Sequence, residues 1–273
     1  MKVKDVKWVY VCGTSFTAGA GFEDNNPGRQ IMQAKMHEKI PSTMAECSWP
    51  GQFAKQIDST VYNHALPGAG VDYLIRTTLN WIEQNPAKIK NTLFLLEVSG
   101  YGRMEVWDSE LQRYIVCNWD YNVRKDGFCP TLHSGEHWKP DNDFESKIHA
   151  KHDVMEQWLN LFCDPIKEAE VLGNRMFNFI CRLKYLGIEF KLYGESFIDE
   201  SLKQDPLVVE NTMPLFNNNG DQCCIFEFLY VNRLQIKNFT NGEVDDFHAS
   251  FEGNKIISNK YREYLISRYN FIK

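Results

Sequence analysis

Four strand-length, mostly apolar runs punctuate the chain: Trp8 to Cys12, Val61 to Asn63, Leu93 to Val98 and Ile188 to Tyr193, with segments of helical period between them. Runs that are apolar on successive positions suit strands buried on both faces, a condition met by a parallel sheet with helices packed over each side. The intervening segments have the form of those helices. Gly51 to Asp58 places Phe53, Ala54 and Ile57 on one side, and Val71, Leu74, Ile75, Thr78, Leu79 and Ile82 recur at helical spacing until Asn85-Pro86 ends the pattern. Val154 to Leu186 is largely helical with a break near Asp164-Pro165, and Leu172, Met176, Phe179, Ile180 and Leu183 form its stripe. A last helix is expected from about Gly253 to Tyr269, with Ile257, Tyr261, Tyr264 and Leu265 inward and Ser250 as its cap. Cys224 to Val231 fits a strand or a helix, because a short apolar run does not decide between them. The alternation predicts an α/β fold, a three-layer α/β/α sandwich around a central parallel sheet.

One segment breaks this rhythm. Glu105 to Ala150 is rich in aromatics (Trp107, Tyr114, Trp119, Tyr121, Phe128, Trp138, Phe144) and in Asp, Asn, Gly and Pro, so it reads as a loop-rich insertion with a hairpin near Tyr114 to Asn118. Long loops in compact domains are often functional, and this one suits a lid or specificity element and a contact to another subunit equally well. The 273 residues otherwise fit a single domain, 1–273. The formal charge of −6 opposes phosphate backbones, and Lys255, Lys260, Arg262, Arg268 and Lys273 read as a solvated helix face, so nucleic acid is not an expected partner. No stretch approaches the roughly 20 apolar residues of a membrane span, and Met1-Lys2-Val3-Lys4 leads into a strand and not into a signal-peptide core. The expectation is a cytoplasmic protein without a membrane partner. Cys12, Cys47, Cys117, Cys129, Cys163, Cys181, Cys223 and Cys224 lack the dense spacing of a disulfide scaffold and are read as reduced.

The chemistry-bearing residues sit at the ends of the pattern. Gly13-Thr14-Ser15 directly follows the first strand, and Asp245-Asp246-Phe247-His248 lies just before the last helix. A serine hydroxyl is a poor nucleophile at neutral pH and needs a base in reach, itself oriented by a third group. Ser15, His248 and Asp245 supply that set, with Asp246 a rival for the third place. Cys129, His133, His137, His149 and His152 offer thiolate and imidazole, yet with one cysteine and no Cys-x-x-Cys they match structural zinc poorly, and no metal is expected. Walker-type loops and paired dinucleotide glycines are absent and Gly68-Ala69-Gly70 is too short to count, so no cofactor is expected.

These blocks resemble the SGNH (GDSL-type) hydrolase superfamily. In its first block, Gly-Asp-Ser-x-Thr-x-Gly, Gly13, Ser15, Thr17 and Gly19 match while Thr14 replaces the aspartate; Asn63 and Gly68 match its second block, and Asp245, His248 and Gly253 its last. The resemblance implies a flavodoxin-like SGNH fold, a Ser15-His248-Asp245 triad, and the N–H groups of Ser15 and Gly68 as oxyanion donors. It implies carboxylic esters as substrates, O-acetylated carbohydrate among them. The third block departs from the pattern: where Gly-x-Asn-Asp is expected, the chain reads Ser99-Gly100-Tyr101-Gly102-Arg103. Losing one oxyanion donor typically costs roughly 100- to 1,000-fold in turnover. Either Ser99, Tyr101, Arg103 or a backbone N–H substitutes, or the protein is a weak or inactive member serving a structural or interaction role. Ser99 to Arg103, together with Ser48-Trp49-Pro50-Gly51-Gln52, looks most like SGNH-type proteins encoded by tailed bacteriophages. That narrower resemblance implies the host cytoplasm or the virion as location, with homo-oligomer or virion contacts through the insertion.

Overall fold

The structure is a computed structural model and describes residues 5–19, 44–66, 68–99, 103–109, 113–118, 131–134, 161, 165–194, 205–216, 222–237 and 244–269. In chain order its elements are β1 (Trp8–Cys12), α1 (Ser15–Ala18), α2 (Met44–Cys47), α3 (Trp49–Gln56), β2 (Thr60–Asn63), α4 (Val71–Gln84), β3 (Thr92–Val98), β4 (Arg103–Asp108), β5 (Arg113–Asn118), β6 (Thr131–Ser134), α5 (Pro165–Tyr185), β7 (Phe190–Gly194), α6 (Pro206–Asn211), β8 (Leu215–Phe216), β9 (Gln222–Cys223), α7 (Ile225–Val231), β10 (Gln235–Lys237), β11 (Val244–Ala249) and α8 (Phe251–Tyr269).

The central sheet has the order β2-β1-β3-β7 and every pairing in it is parallel. Successive residues of its strands point to opposite faces, and the core divides accordingly. Val9, Val11, Leu93, Leu95 and Tyr193 pack with Trp49 and Phe53 of α3, Phe228 of α7 and Ile257, Tyr261 and Leu265 of α8. Tyr10, Cys12, Phe94, Leu96, Phe190 and Leu192 pack with Leu74, Trp81 and Ile82 of α4 and with Leu172, Met176, Phe179, Ile180 and Leu183 of α5. The protein is thus a three-layer α/β/α sandwich, with helices burying both faces of one parallel sheet.

Helix starts follow from local chemistry. The Ser48 side chain accepts from Gly51 N at 3.4 Å, and Pro50 supplies the fixed φ of a first helical turn. Cys224 Sγ accepts from Glu227 N at 3.4 Å, and the ambiguous run after it is the helix α7. Ser250 Oγ accepts from Gly253 N at 3.1 Å, so α8 begins at Phe251, two residues before the expected start. The fourth strand begins at Phe190 and not at Ile188, because Ile188 N is bonded to Leu183 O at 3.0 Å in the turn that closes α5. Helix α5 begins at Pro165, beyond the expected break; most of 154–164 lies outside the described residues. The insertion is more regular than its composition suggests, since β4, β5 and β6 form a three-stranded antiparallel sheet. That sheet packs on α4. Arg103 leads into it so close to Gly70 that a Cβ at Gly70 would overlap the Arg103 carbonyl. Among the described residues no helix is long and apolar enough to cross a membrane.

Candidate active site

In the order β2-β1-β3-β7 the chain passes from β1 to the strand on one side of it and then to the strand on the other. The crevice of an open α/β sheet lies outside the carboxyl ends of the strands at such a switch point. Here these are the ends of β1 and β3, which lead directly to Ser15 and Ser99.

The turn carrying Ser15 is clamped from β3. Glu97, only 1% exposed, accepts from Thr14 N at 2.6 Å and from Thr14 Oγ1 at 2.8 Å. A Cβ on Gly13 would overlap the Glu97 side chain, so only glycine admits this approach. Thr14 therefore reaches the carboxylate of a neighbouring strand. Ser15 follows as the half-buried first residue of α1, and first-turn N–H groups have no acceptor within a helix. On the other side of α1, Thr17 Oγ1 lies 2.7 Å from Tyr193 OH.

The Gly68 loop is fastened to the same turn. His64 N donates to Val11 O at 2.8 Å and Leu66 N to Gly13 O at 2.9 Å. Asn63 Nδ2 donates to Thr17 O at 3.0 Å, and its Oδ1 accepts from Ala65 N at 3.0 Å. Gly68 has φ 79°, in the left-handed region where a side chain is disfavoured. Among the described residues its N–H has no acceptor.

His248 arrives from the opposite end of the chain. It is half-buried on β11, which packs against α1, and its ring centre lies 5.1 Å from that of Phe16, the residue after Ser15. Asn254 anchors this strand: its Nδ2 donates to Ala249 O at 3.1 Å and its Oδ1 accepts from Trp49 N at 2.8 Å. Asp245 and Asp246 are described through the backbone of β11 only. The register of β11 with β10 shifts on both sides of the Ile236–Asp246 pair, so the regular alternation of a strand is interrupted there.

Of the candidates for the missing third donor, Ser99 is 7% exposed and its buried Oγ has no hydrogen-bond partner among the described residues. Tyr101 lies outside the described residues, and Arg103 opens β4 beside Gly70. Cys129, His137, His149 and His152 are also outside them, and His133 is described as backbone in β6. Cys12, one residue from the Gly13 turn, is fully buried, and burial pushes its thiol up to about 12, far from the range of a thiolate nucleophile.

Two positioning residues escape a motif-based reading of the sequence: Glu97 and Asn254. The signal for Glu97 was present, since a lone acid inside the apolar run Leu93 to Val98 must find a buried partner. Asn254 carried no such signal, because its partners Trp49 and Ala249 are remote or unremarkable in sequence.

Neither a family model nor a curated protein matches the chain. Among solved structures, an acetyl xylan esterase from the rumen bacterium Butyrivibrio proteoclasticus aligns over 97% of this chain at 8% identity with a TM-score of 0.42, and this chain spans 65% of its length. A GDSL-like lipase from Parabacteroides merdae aligns over 96% of this chain and 98% of its own at 11% identity and TM-score 0.37. A carbohydrate esterase aligns over 97% and 69% at 10% identity and TM-score 0.34.

Proposed function

We propose that the chain is a serine hydrolase of carboxylic esters. Ser15 Oγ attacks the ester carbonyl carbon, His248 takes the hydroxyl proton, and Asp245 fixes the imidazole tautomer. As the bond to Ser15 forms, the carbonyl electron pair moves onto oxygen, where the N–H groups of Ser15 and Gly68 and the hydroxyl of Ser99 stabilise it. Collapse breaks the bond to the alcohol, which leaves with the proton returned by His248. Water, deprotonated by the same ring, then attacks the acyl carbon; the bond to Ser15 Oγ breaks, His248 returns the proton to that oxygen, and the acid leaves. O-acetyl groups on carbohydrate are the substrate class that the family resemblance favours.

The observation that carries this reading is convergence. Three segments remote in sequence meet at one end of the sheet: the Ser15 turn bonded to Glu97, the Gly68 loop bonded to Gly13, and His248 on the strand packed against α1. A fluorophosphonate probe should label Ser15, and Ser15→Ala and His248→Ala should each abolish hydrolysis of a short activated ester in a folded protein, with chelators without effect. Unchanged turnover in Ser15→Ala would end the reading. A second reading is favoured by the asparagine missing at Ser99 to Arg103: an inactive SGNH-like interaction protein, for example a virion component. Folded wild-type protein that the probe leaves unlabelled would support it.

A further inference from the structure

A cleft of about 610 Å3 opens between α4, α5 and the β4–β5 pair, and none of Ser15, Gly68, Ser99 or His248 lines it. Its wall on the β4 side is tied together by ionic and aromatic contacts. Arg76 donates from Nη2 and Nε to the two oxygens of Glu105, at 2.6 and 3.0 Å, and the Glu105 side chain is only 3% exposed. The same guanidinium lies 4.3 Å from the centre of the Tyr114 ring. Trp107, opposite Tyr114 in the strand register, meets that ring edge-on at 5.1 Å. Both rings are nonetheless open to solvent, at 38% for Tyr114 and 50% for Trp107.

The facing wall is a stripe of α5: Arg175, Asn178 and Arg182. Arg175 is engaged by Asp72 at 2.8 Å. Asn178 and Arg182 are exposed and have no hydrogen bond or ion pair among the described residues. Among the described residues both acids of the cleft are engaged by ion pairs, which leaves Arg182 as its uncompensated cation in a chain of formal charge −6.

We infer that this cleft binds an acidic saccharide, with a pyranose face against Tyr114 and the sugar carboxylate on Arg182 and Asn178. A pyranose presents a C–H face that packs on a fixed aromatic ring, and the planar guanidinium fork matches a carboxylate. The volume falls within the roughly 300–1,000 Å3 of small-ligand sites. The inference rests on these walls alone and is independent of the esterase reading.

Titration calorimetry of the full chain with tri-galacturonate and with galactotriose tests it. Saturable binding of the uronide is expected, weakening with added salt, at least tenfold tighter than the neutral sugar, and unchanged in Ser15→Ala. Arg182→Gln, on an exposed helix face, should erase the preference for the acidic sugar, and Tyr114→Ala should weaken both sugars about tenfold without unfolding. No saturable binding, equal affinity for the two sugars, or full affinity in Arg182→Gln would overturn the inference. So would a dimer, seen by sedimentation, that Trp107→Ala dissociates, since the face would then be a contact between copies.

Discussion

Ser99→Ala separates a substrate-facing hydroxyl from a structural one. Ser99 is 7% exposed and its Oγ has no partner among the described residues, and leaving a buried polar group unsatisfied costs roughly 1–3 kcal/mol. Alanine removes that hydroxyl and keeps the Cβ, so no appreciable cavity opens. The variant should be at least as stable as wild type and up to about 1–3 kcal/mol more so, raising Tm by about 2–4 °C for each kcal/mol gained. If the hydroxyl serves as the third oxyanion donor, kcat on a short activated ester should fall roughly 100- to 1,000-fold, or about 2.7–4 kcal/mol, with little change in KM. Thermal melting and steady-state kinetics on the same preparation provide both readouts. A lower Tm with full turnover would refute the reasoning, because it would make Ser99 a structural residue with an unrecognised partner.

Two further outcomes follow from buried groups near the site. Glu97→Ala strands the N–H and hydroxyl of Thr14, both bonded to Glu97 in a fully buried residue, and should cost about 1–3 kcal/mol for each orphaned group together with turnover. Glu97→Gln, which can still accept from the N–H and donate to the hydroxyl, should recover most of both in urea unfolding and kinetic assays; equal losses in the two variants would contradict the clamp. Burial raises the Cys12 thiol from 9.0 to about 12 and lifts Tyr10, Tyr193 and Tyr261 well above their usual value. Above the unfolded value of each group, 9.0 for Cys12 and 10.0 for the tyrosines, the unfolded chain binds fewer protons than the folded one, and stability should fall as pH rises, by up to about 1.4 kcal/mol per pH unit for each group so engaged. Urea unfolding from pH 8 to 11 should show this decline, less steep in Cys12→Ala; a flat profile would contradict it.

Periodicity by itself determined the layers. A run apolar on successive positions, such as Leu93 to Val98, suits a strand covered on both faces when helical stripes such as Leu172 to Leu183 are there to cover it. Those are statements about single elements, and each holds wherever its neighbours come from. The Gly13-Thr14-Ser15 turn and the Asp245 to His248 block stand out for a similar reason: their residue types suggest a chemistry before any distance is known. Only the tertiary structure decided which carboxylate meets Thr14, because Glu97 lies 83 residues away and reaches it through the β1–β3 pairing. The same holds for Asn254, which joins β11 to the start of α3, and for the β4–β5 face that encloses a cleft with α4 and α5. The run from Cys224 to Val231 took its helical form from a cap at Cys224 and from the burial of Phe228 and Leu229 in the α3–α8 layer. An apolar side chain gains free energy against any apolar neighbour, so burial is readable from pattern. A hydrogen bond requires one particular partner at one distance, and which partner arrives is decided by how the sheet brings remote strands side by side.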